Sequence, residues 1–248
     1  MNAPLRVLLI GAAGRMGQAI KTAARRDITI EIAAEADQGD EIERLIGAVD
    51  VAVDFSHASA TERNCAACVT NRKPLVIGTT GHSAEQLALI DAAAKSVPVL
   101  LASNFSIGVN TLFSLTRKAA ELLGEDFDLE IVETHHRLKK DAPSGTAKRL
   151  AEILCAARGL DYKKDVAHGR EGMVGERPAN QIGMHSVRAG DVVGDHTVIF
   201  ASAGERLELT HKASSRETFA VGALRAARWI ADKPVGRYSM EDVLGLGR

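Results

Sequence analysis

The sequence predicts an α/β fold: a parallel sheet with helices on both faces, and a smaller α+β domain inserted into it. Three observations predict it. Over the first hundred residues, short apolar runs alternate with helical patterns at the pitch of strand–helix–strand units. Past residue 107 the pattern changes to longer helices and to strands with period-two alternation. The helical stretch Arg216–Ala231 then resembles the first half in composition, so the chain is expected to return to its first domain. The domains drawn this way are 1–106 with 216–248, and 107–215.

In order, Arg6–Ile10 reads as a buried strand, Gly14–Arg26 as a helix and Ile28–Ala34 as a second strand. Val49–Phe55 is a third strand, Ser59–Asn71 a helix, and Leu75–Ile77 a fourth strand. Ala84–Lys95 is a helix and Val97–Ala102 a fifth strand. Ile107–Leu123 is a long amphipathic helix, Phe127–Thr134 alternates with period two as a strand should, and Ser144–Arg158 is a helix. Tyr162–Asn180 is polar and glycine-rich and reads as one long loop, a candidate lid. Ile182–Arg188, Thr197–Ser202 and Arg206–His211 read as antiparallel strands, with Gly190, Gly194 and Gly204 supplying turns.

Composition narrows the function. The chain has 248 residues, 46% hydrophobic and 25% charged, with a formal net charge of −1. A near-neutral chain lacks the broad basic field that nucleic-acid or membrane-surface binding requires, so charged ligands must be met by a local cluster. No apolar run approaches the roughly 18–20 residues that span a bilayer, and the opening residues lead straight into a strand-like segment without a signal peptide. The sparse cysteines, Cys65, Cys68 and Cys155, suit a reducing cytoplasm. Cys65 and Cys68 have redox-motif spacing, but they lie in a helical stretch with no further ligand pair, which favours packing. No metal site is expected.

Gly11-Ala12-Ala13-Gly14-Arg15-Met16-Gly17 follows the first strand and opens the first helix. Glycines there permit a tight turn and close backbone approach to a pyrophosphate, which then sits on the helix N-terminus. An acid should follow the second strand to bind the adenosine ribose; Asp37, twenty residues past Gly17, stands at that distance, with Glu35 as the alternative. The domain is therefore expected to be Rossmann-like and to bind a nicotinamide dinucleotide. Its neighbours Ala36, Gln38 and Gly39 offer no cation for a 2′-phosphate, so NADH is expected to be preferred over NADPH. Gly78-Thr79-Thr80 and Ala102-Ser103-Asn104-Phe105 follow the fourth and fifth strands, at the carboxyl edge where open α/β sheets bind ligands.

The segment from Glu133 to Thr146, E-T-H-H-R-L-K-K-D-A-P-S-G-T, puts His135, His136, Arg137, Lys139 and Lys140 into six consecutive positions. Ser144, Gly145 and Thr146 then begin a helix, offering hydroxyls and backbone amides to an anion. The chemistry specified is a small dicarboxylate met by cations and a helix start, with a histidine able to exchange a proton.

This segment resembles the signature of the dihydrodipicolinate reductase family of lysine and diaminopimelate biosynthesis. So do GAAGRMG (Gly11–Gly17), GTTG (Gly78–Gly81), ASNFSIGVN (Ala102–Asn110) and THKASSR (Thr210–Arg216), in consistent order over essentially the whole chain. The resemblance implies NAD(P)H-dependent reduction of 4-hydroxy-tetrahydrodipicolinate, by way of dihydrodipicolinate, to tetrahydrodipicolinate, in a cytoplasmic homotetramer whose second domain serves substrate binding and oligomerisation. It implies that His135 is the proton donor or acceptor and Lys139 a second proton donor, and that His136, Gly145 and Thr146 hold the substrate. Gly11 to Met16, Asp37, Gly78 to Thr80 and Ala102 to Phe105 match its dinucleotide contacts. A competing reading, a dehydrogenase of a small amino or keto acid resembling aspartate dehydrogenase, explains Gly11–Gly17 but not the His135–Thr146 pattern.

Overall fold

The structure is a computed structural model in which residues 3–246 are described. The strands and helices run β1 (Leu5–Ile10), α1 (Arg15–Ala24), β2 (Ile30–Ala36), α2 (Ile42–Leu45), β3 (Val51–Asp54), α3 (Thr61–Asn71), β4 (Leu75–Ile77), α4 (Ala84–Ala93), β5 (Pro98–Leu101) and α5 (Ile107–Leu123). There follow β6 (Asp128–His135), α6 (Gly145–Arg158), α7 (Tyr162–Asp165), β7 (Val166–His168), β8 (Ile182–Arg188), β9 (Gly194–Ser202), β10 (Glu205–Ala213), α8 (Glu217–Ile230), β11 (Gly236–Tyr238) and α9 (Met240–Leu244). The chain divides into two compact units, one comprising residues up to Ile107 with those from Arg216 onward, the other Gly108–Ser215.

The first unit holds a six-stranded parallel sheet in the order β11-β5-β4-β3-β1-β2. β1 lies between β2 and β3, so the winding reverses there, and the loops after β1 and β3 open at a topological switch point. Alternation along β1 divides the core. Val7 and Leu9 pack with Ile20 of α1 and Ala220, Ala223 and Ala227 of α8. Leu8 and Ile10 pack on the other face with Cys65 and Cys68 of α3 and Ile90 of α4. Both cysteines are thus core residues; burial pushes the Cys65 thiol up to about 11 and Cys68 higher still, the reverse of a reactive thiolate.

The second unit is a five-stranded mixed sheet, β10-β9-β6-β8-β7. Leu129 and Ile131 of β6, Met184 of β8 and Phe200 of β9 form one apolar face, packed with Leu112 and Phe113 of α5 and Leu150 and Leu154 of α6.

Several sequence expectations need correction. β8 is parallel to β6 and to β7, not antiparallel, whereas β9 runs antiparallel to both β6 and β10. The stretch from Tyr162 is not one loop. Asp161 caps α7 by accepting from the Lys163 and Lys164 amides, and β7 follows before the loop begins at Gly169. That loop is tied down: Arg170 and Arg177 both bond to Glu130, and Arg177 also to Asp128 and the Leu129 carbonyl. These anchors lie at the start of β6, where Glu130 faces away from Ile131, Glu133 and His135. The second strand begins at Ile30 rather than Ile28, because Asp27 accepts from the Thr29 amide and hydroxyl and holds a turn there; Ile28 is 88% exposed. β11 and α9 close the first unit, and no sequence pattern announces either. Among the described residues, no helix is long and apolar enough to cross a membrane.

Candidate active site

The turn after β1 is built for close backbone approach. Gly11 has φ +84°, and a Cβ there would lie 2.5 Å from the Phe55 carbonyl oxygen. A Cβ on Gly17 would lie 2.3 Å from the Gly11 carbonyl oxygen, so glycine lets α1 sit against the turn. Gly14 occupies the N-cap position in extended conformation with no side chain to cap the helix, which leaves the first-turn amides facing outward with Ala13, Gly14 and Arg15 exposed. Ala12 is buried; Met16 is half-buried beside the core. Both Asp37 carboxylate oxygens accept from the Ala13 amide, at 3.1 and 3.0 Å, which fixes the acid beside the glycine turn. Glu35 instead pairs with Lys21 at 2.8 Å.

A cavity of about 530 Å³ opens at this switch point, lined by Asp37, Gln38, Gly39, Ser56, His57 and Arg63 among others. His57, given no role from sequence, caps the short turn Ala58–Ala60 by accepting from the Ser59 amide. Arg63 was invisible to sequence adjacency; α3 carries it to the same cavity as Gln38. These features fit a dinucleotide: amides for its phosphates, an acid for its ribose and a hollow for its adenine.

The turns after β4 and β5 divide into supports and exposed groups. The Phe55 ring occupies the space beside Gly78, where a Cβ would meet it at 2.2 Å, and Phe55 pairs with Phe105 at 5.3 Å between centroids. Thr79 is buried, its hydroxyl donating to Asp54, which also accepts from Ser56 and Asn64. Asn104 accepts from the Ser106 amide. Ala102 is half-buried, and Thr80 and Ser103 are exposed.

In the second unit, the cationic segment is organised by a residue to which the sequence pattern assigned no role. Glu133 is fully buried on the apolar face of β6, two residues before His135. Its Oε2 accepts from His135 Nδ1 at 2.5 Å and from Arg188 at 2.9 Å. Its Oε1 accepts from Arg188 at 2.9 Å and from the Ser144 amide at 3.2 Å. Register explains the meeting: β8 places Arg188 beside His135, and β9 places His196 opposite Glu133. Burial works to raise the Glu133 carboxyl, yet hydrogen bonds from His135, Arg188 and Ser186 outweigh it and hold the group at about 2, so it is ionised at neutral pH.

Ser144 is the N-cap of α6 and is buried; its hydroxyl accepts from the Ala147 amide at 3.1 Å and meets His196 Nε2 at 2.9 Å. The serine hydroxyl is therefore committed within the protein, worth about 1 kcal/mol as a cap. Gly145 is exposed, and a Cβ there would meet nothing within 4 Å. His196 packs edge-on to His135 at 5.1 Å; burial first, and then the neighbouring His135, press it down to about 3 and keep it neutral. At Gly194 a Cβ would lie 3.0 Å from His135 Nε2, so glycine leaves that side of the ring clear. Lys139 pairs with both oxygens of Asp141 at 2.8 Å, holding that carboxyl below its ordinary range. The half-buried His136 accepts the Lys139 amide through its carbonyl, while Arg137 is exposed. The crowded cations are thus relieved partly by Glu133 and Asp141, acids of the same segment.

Comparison with known proteins gives one consistent result. The family descriptions "Dihydrodipicolinate reductase, N-terminus" and "Dihydrodipicolinate reductase, C-terminus" match residues 5–105 and 108–244. A protein of Akkermansia muciniphila named 4-hydroxy-tetrahydrodipicolinate reductase is 58% identical, covering 98% of each chain. One of the same name from Alkalilimnicola ehrlichii is 45% identical over 97% of this chain and 99% of its own. The solved structure of dipicolinate-bound dihydrodipicolinate reductase from Paenisporosarcina sp. TG-14 shares the fold, with a TM-score of 0.77 at 24% identity, covering 95% of this chain and 97% of that one.

Proposed function

The chain belongs to the dihydrodipicolinate reductase family, and on that premise we propose which of its residues carry the family's reaction. It catalyses the NAD(P)H-dependent reduction of 4-hydroxy-tetrahydrodipicolinate, by way of dihydrodipicolinate, to tetrahydrodipicolinate, a step of lysine and diaminopimelate biosynthesis. The observation that carries the residue assignment is His135 held by a buried carboxylate that also holds the start of α6.

The turn Gly11–Met16 would hold the pyrophosphate on the amides of α1, and Asp37 would take the adenosine ribose. Thr80, Ala102, Ser103 and Asn104 would hold the nicotinamide end, with Gly78, Thr79 and Phe105 supporting those turns. When bound, the dinucleotide supplies the hydride that adds to the substrate ring. His135, with Nδ1 donating to Glu133, presents Nε2 and delivers the proton the reduced ring requires. Lys139 is the second donor, exchanging Asp141 for the substrate. The Gly145 and Thr146 amides and His136 hold a carboxylate, drawn by a helix start worth about 0.3–1 kcal/mol per charge. Ser144 contributes as their cap. The second unit also serves oligomerisation, as a homotetramer, and the three free, buried cysteines suit a cytoplasmic site of action.

NADH is the preferred donor. Asp37 repels a 2′-phosphate and Gln38 supplies no cation; Arg63 lines the cavity named above, and it softens the discrimination. With substrate generated from aspartate semialdehyde and pyruvate by the upstream synthase, kcat/KM should be higher with NADH. A strong NADPH preference would overturn the cofactor reading, and no oxidation of either would overturn the residue assignments with it.

A further inference from the structure

We propose that Glu133 is a positioning residue that sets the proton donor and the carboxylate-binding helix start at a fixed separation, one carboxylate oxygen serving each. The inference rests on the substrate reading above and extends it to a residue outside the cationic set. Oε2 takes the His135 Nδ1 proton and Oε1 takes the Ser144 amide, while Arg188 bonds to both oxygens and stops the carboxylate from rotating. Arg188 also donates to the backbone carbonyl of Asp141 at 2.6 Å, the residue whose carboxylate pairs with Lys139. One buried carboxylate therefore reaches the end of β6, the end of β8 and the start of α6.

The chemistry follows from what each group can do. An ionised carboxylate only accepts, so His135 must carry a proton on Nδ1. The exchangeable proton is then confined to Nε2, the side that Gly194 leaves clear. A fixed tautomer and ring orientation is what a proton donor needs in order to act in one direction, as orienting carboxylates do for catalytic histidines generally. His196 supports the same arrangement from β9: its neutral ring sits against Ser144 and edge-on to His135, adding no second charge beside the donor.

The Glu133→Gln variant keeps the size of the side chain but cannot accept through both ends. It should lower kcat by about 100-fold or more and also raise KM for the substrate several-fold, since donor and helix start both shift, with NADH affinity unchanged. Glu133→Asp keeps the charge and should recover part of kcat. A smaller folded fraction alone would lower apparent kcat and leave KM in place, so that pattern contradicts the proposal, as does wild-type behaviour of the Gln variant. Histidine ¹⁵N NMR of the wild-type protein without substrate tests the contact independently of turnover and of variant folding. Whenever the ring is neutral, His135 should be protonated on Nδ1, with the lone pair on Nε2. A neutral His135 protonated on Nε2 overturns the proposal even if the enzyme turns over. The Nδ1 signature in a protein inactive on the substrate would leave the positioning contact intact and remove the substrate reading instead.

Discussion

Replacing His135 by glutamine should lower kcat by about 10³-fold, roughly 4 kcal/mol of transition-state stabilisation, while NADH binds as before. Glutamine approximates the reach of the imidazole and can still hydrogen-bond, so packing against His196 and the bond to Glu133 are largely replaced. What it lacks is a proton to release near neutral pH. His135 is 8% exposed and Glu133 lies beneath it, which fixes the ring with Nε2 on the side that Gly194 leaves free. Steady-state kinetics with the synthase-generated substrate, alongside NADH titration by fluorescence, separates the two effects. Retention of more than about a tenth of the wild-type kcat would remove His135 as proton donor.

Gly11→Ala should abolish tight dinucleotide binding and destabilise the first unit. Two costs combine. At φ +84° an L-residue is disfavoured by about 1–2 kcal/mol, and the added Cβ would sit 2.5 Å from the Phe55 carbonyl oxygen, a backbone atom that cannot move aside cheaply. Gly81 separates these costs, for it has the same φ of +84° and an added methyl there would meet nothing within 4 Å. Gly81→Ala should therefore lower Tm modestly, and Gly11→Ala by clearly more, with NADH Kd raised about 100-fold or beyond. Thermal unfolding and NADH titration of both variants check this; equal effects would show that close approach to Phe55 is unimportant.

The parallel sheet of the first unit was legible because each strand is a compact apolar run between turn signals, and alternation along β1 feeds two helix layers. β11 was not, since Gly236–Tyr238 is too short to show a period and pairs with the distant β5. The direction of β8 is not legible, because alternation reports which face is buried, not which way the neighbouring strand runs. The site divides the same way. His135, Lys139 and Gly145 stand in a compact segment that a linear reading exposes, whereas Arg188 and His196 arrive by register from β8 and β9. Glu133 does carry a sequence signal: period two puts it on the face of Leu129 and Ile131, and an acid on an apolar face needs a partner. Arg63 is the corresponding case at the cofactor cavity, brought beside Gln38 by folding alone.

The most direct test sets two substrates against each other with the wild-type protein and NADH: the synthase product of aspartate semialdehyde and pyruvate, and oxaloacetate with ammonia. The cationic segment, with His135 fixed over Glu133 and the start of α6 beside it, predicts rapid NADH oxidation with the first and a negligible rate with the second. Turnover of oxaloacetate and ammonia with none of the synthase product would contradict it and point to an amino-acid dehydrogenase.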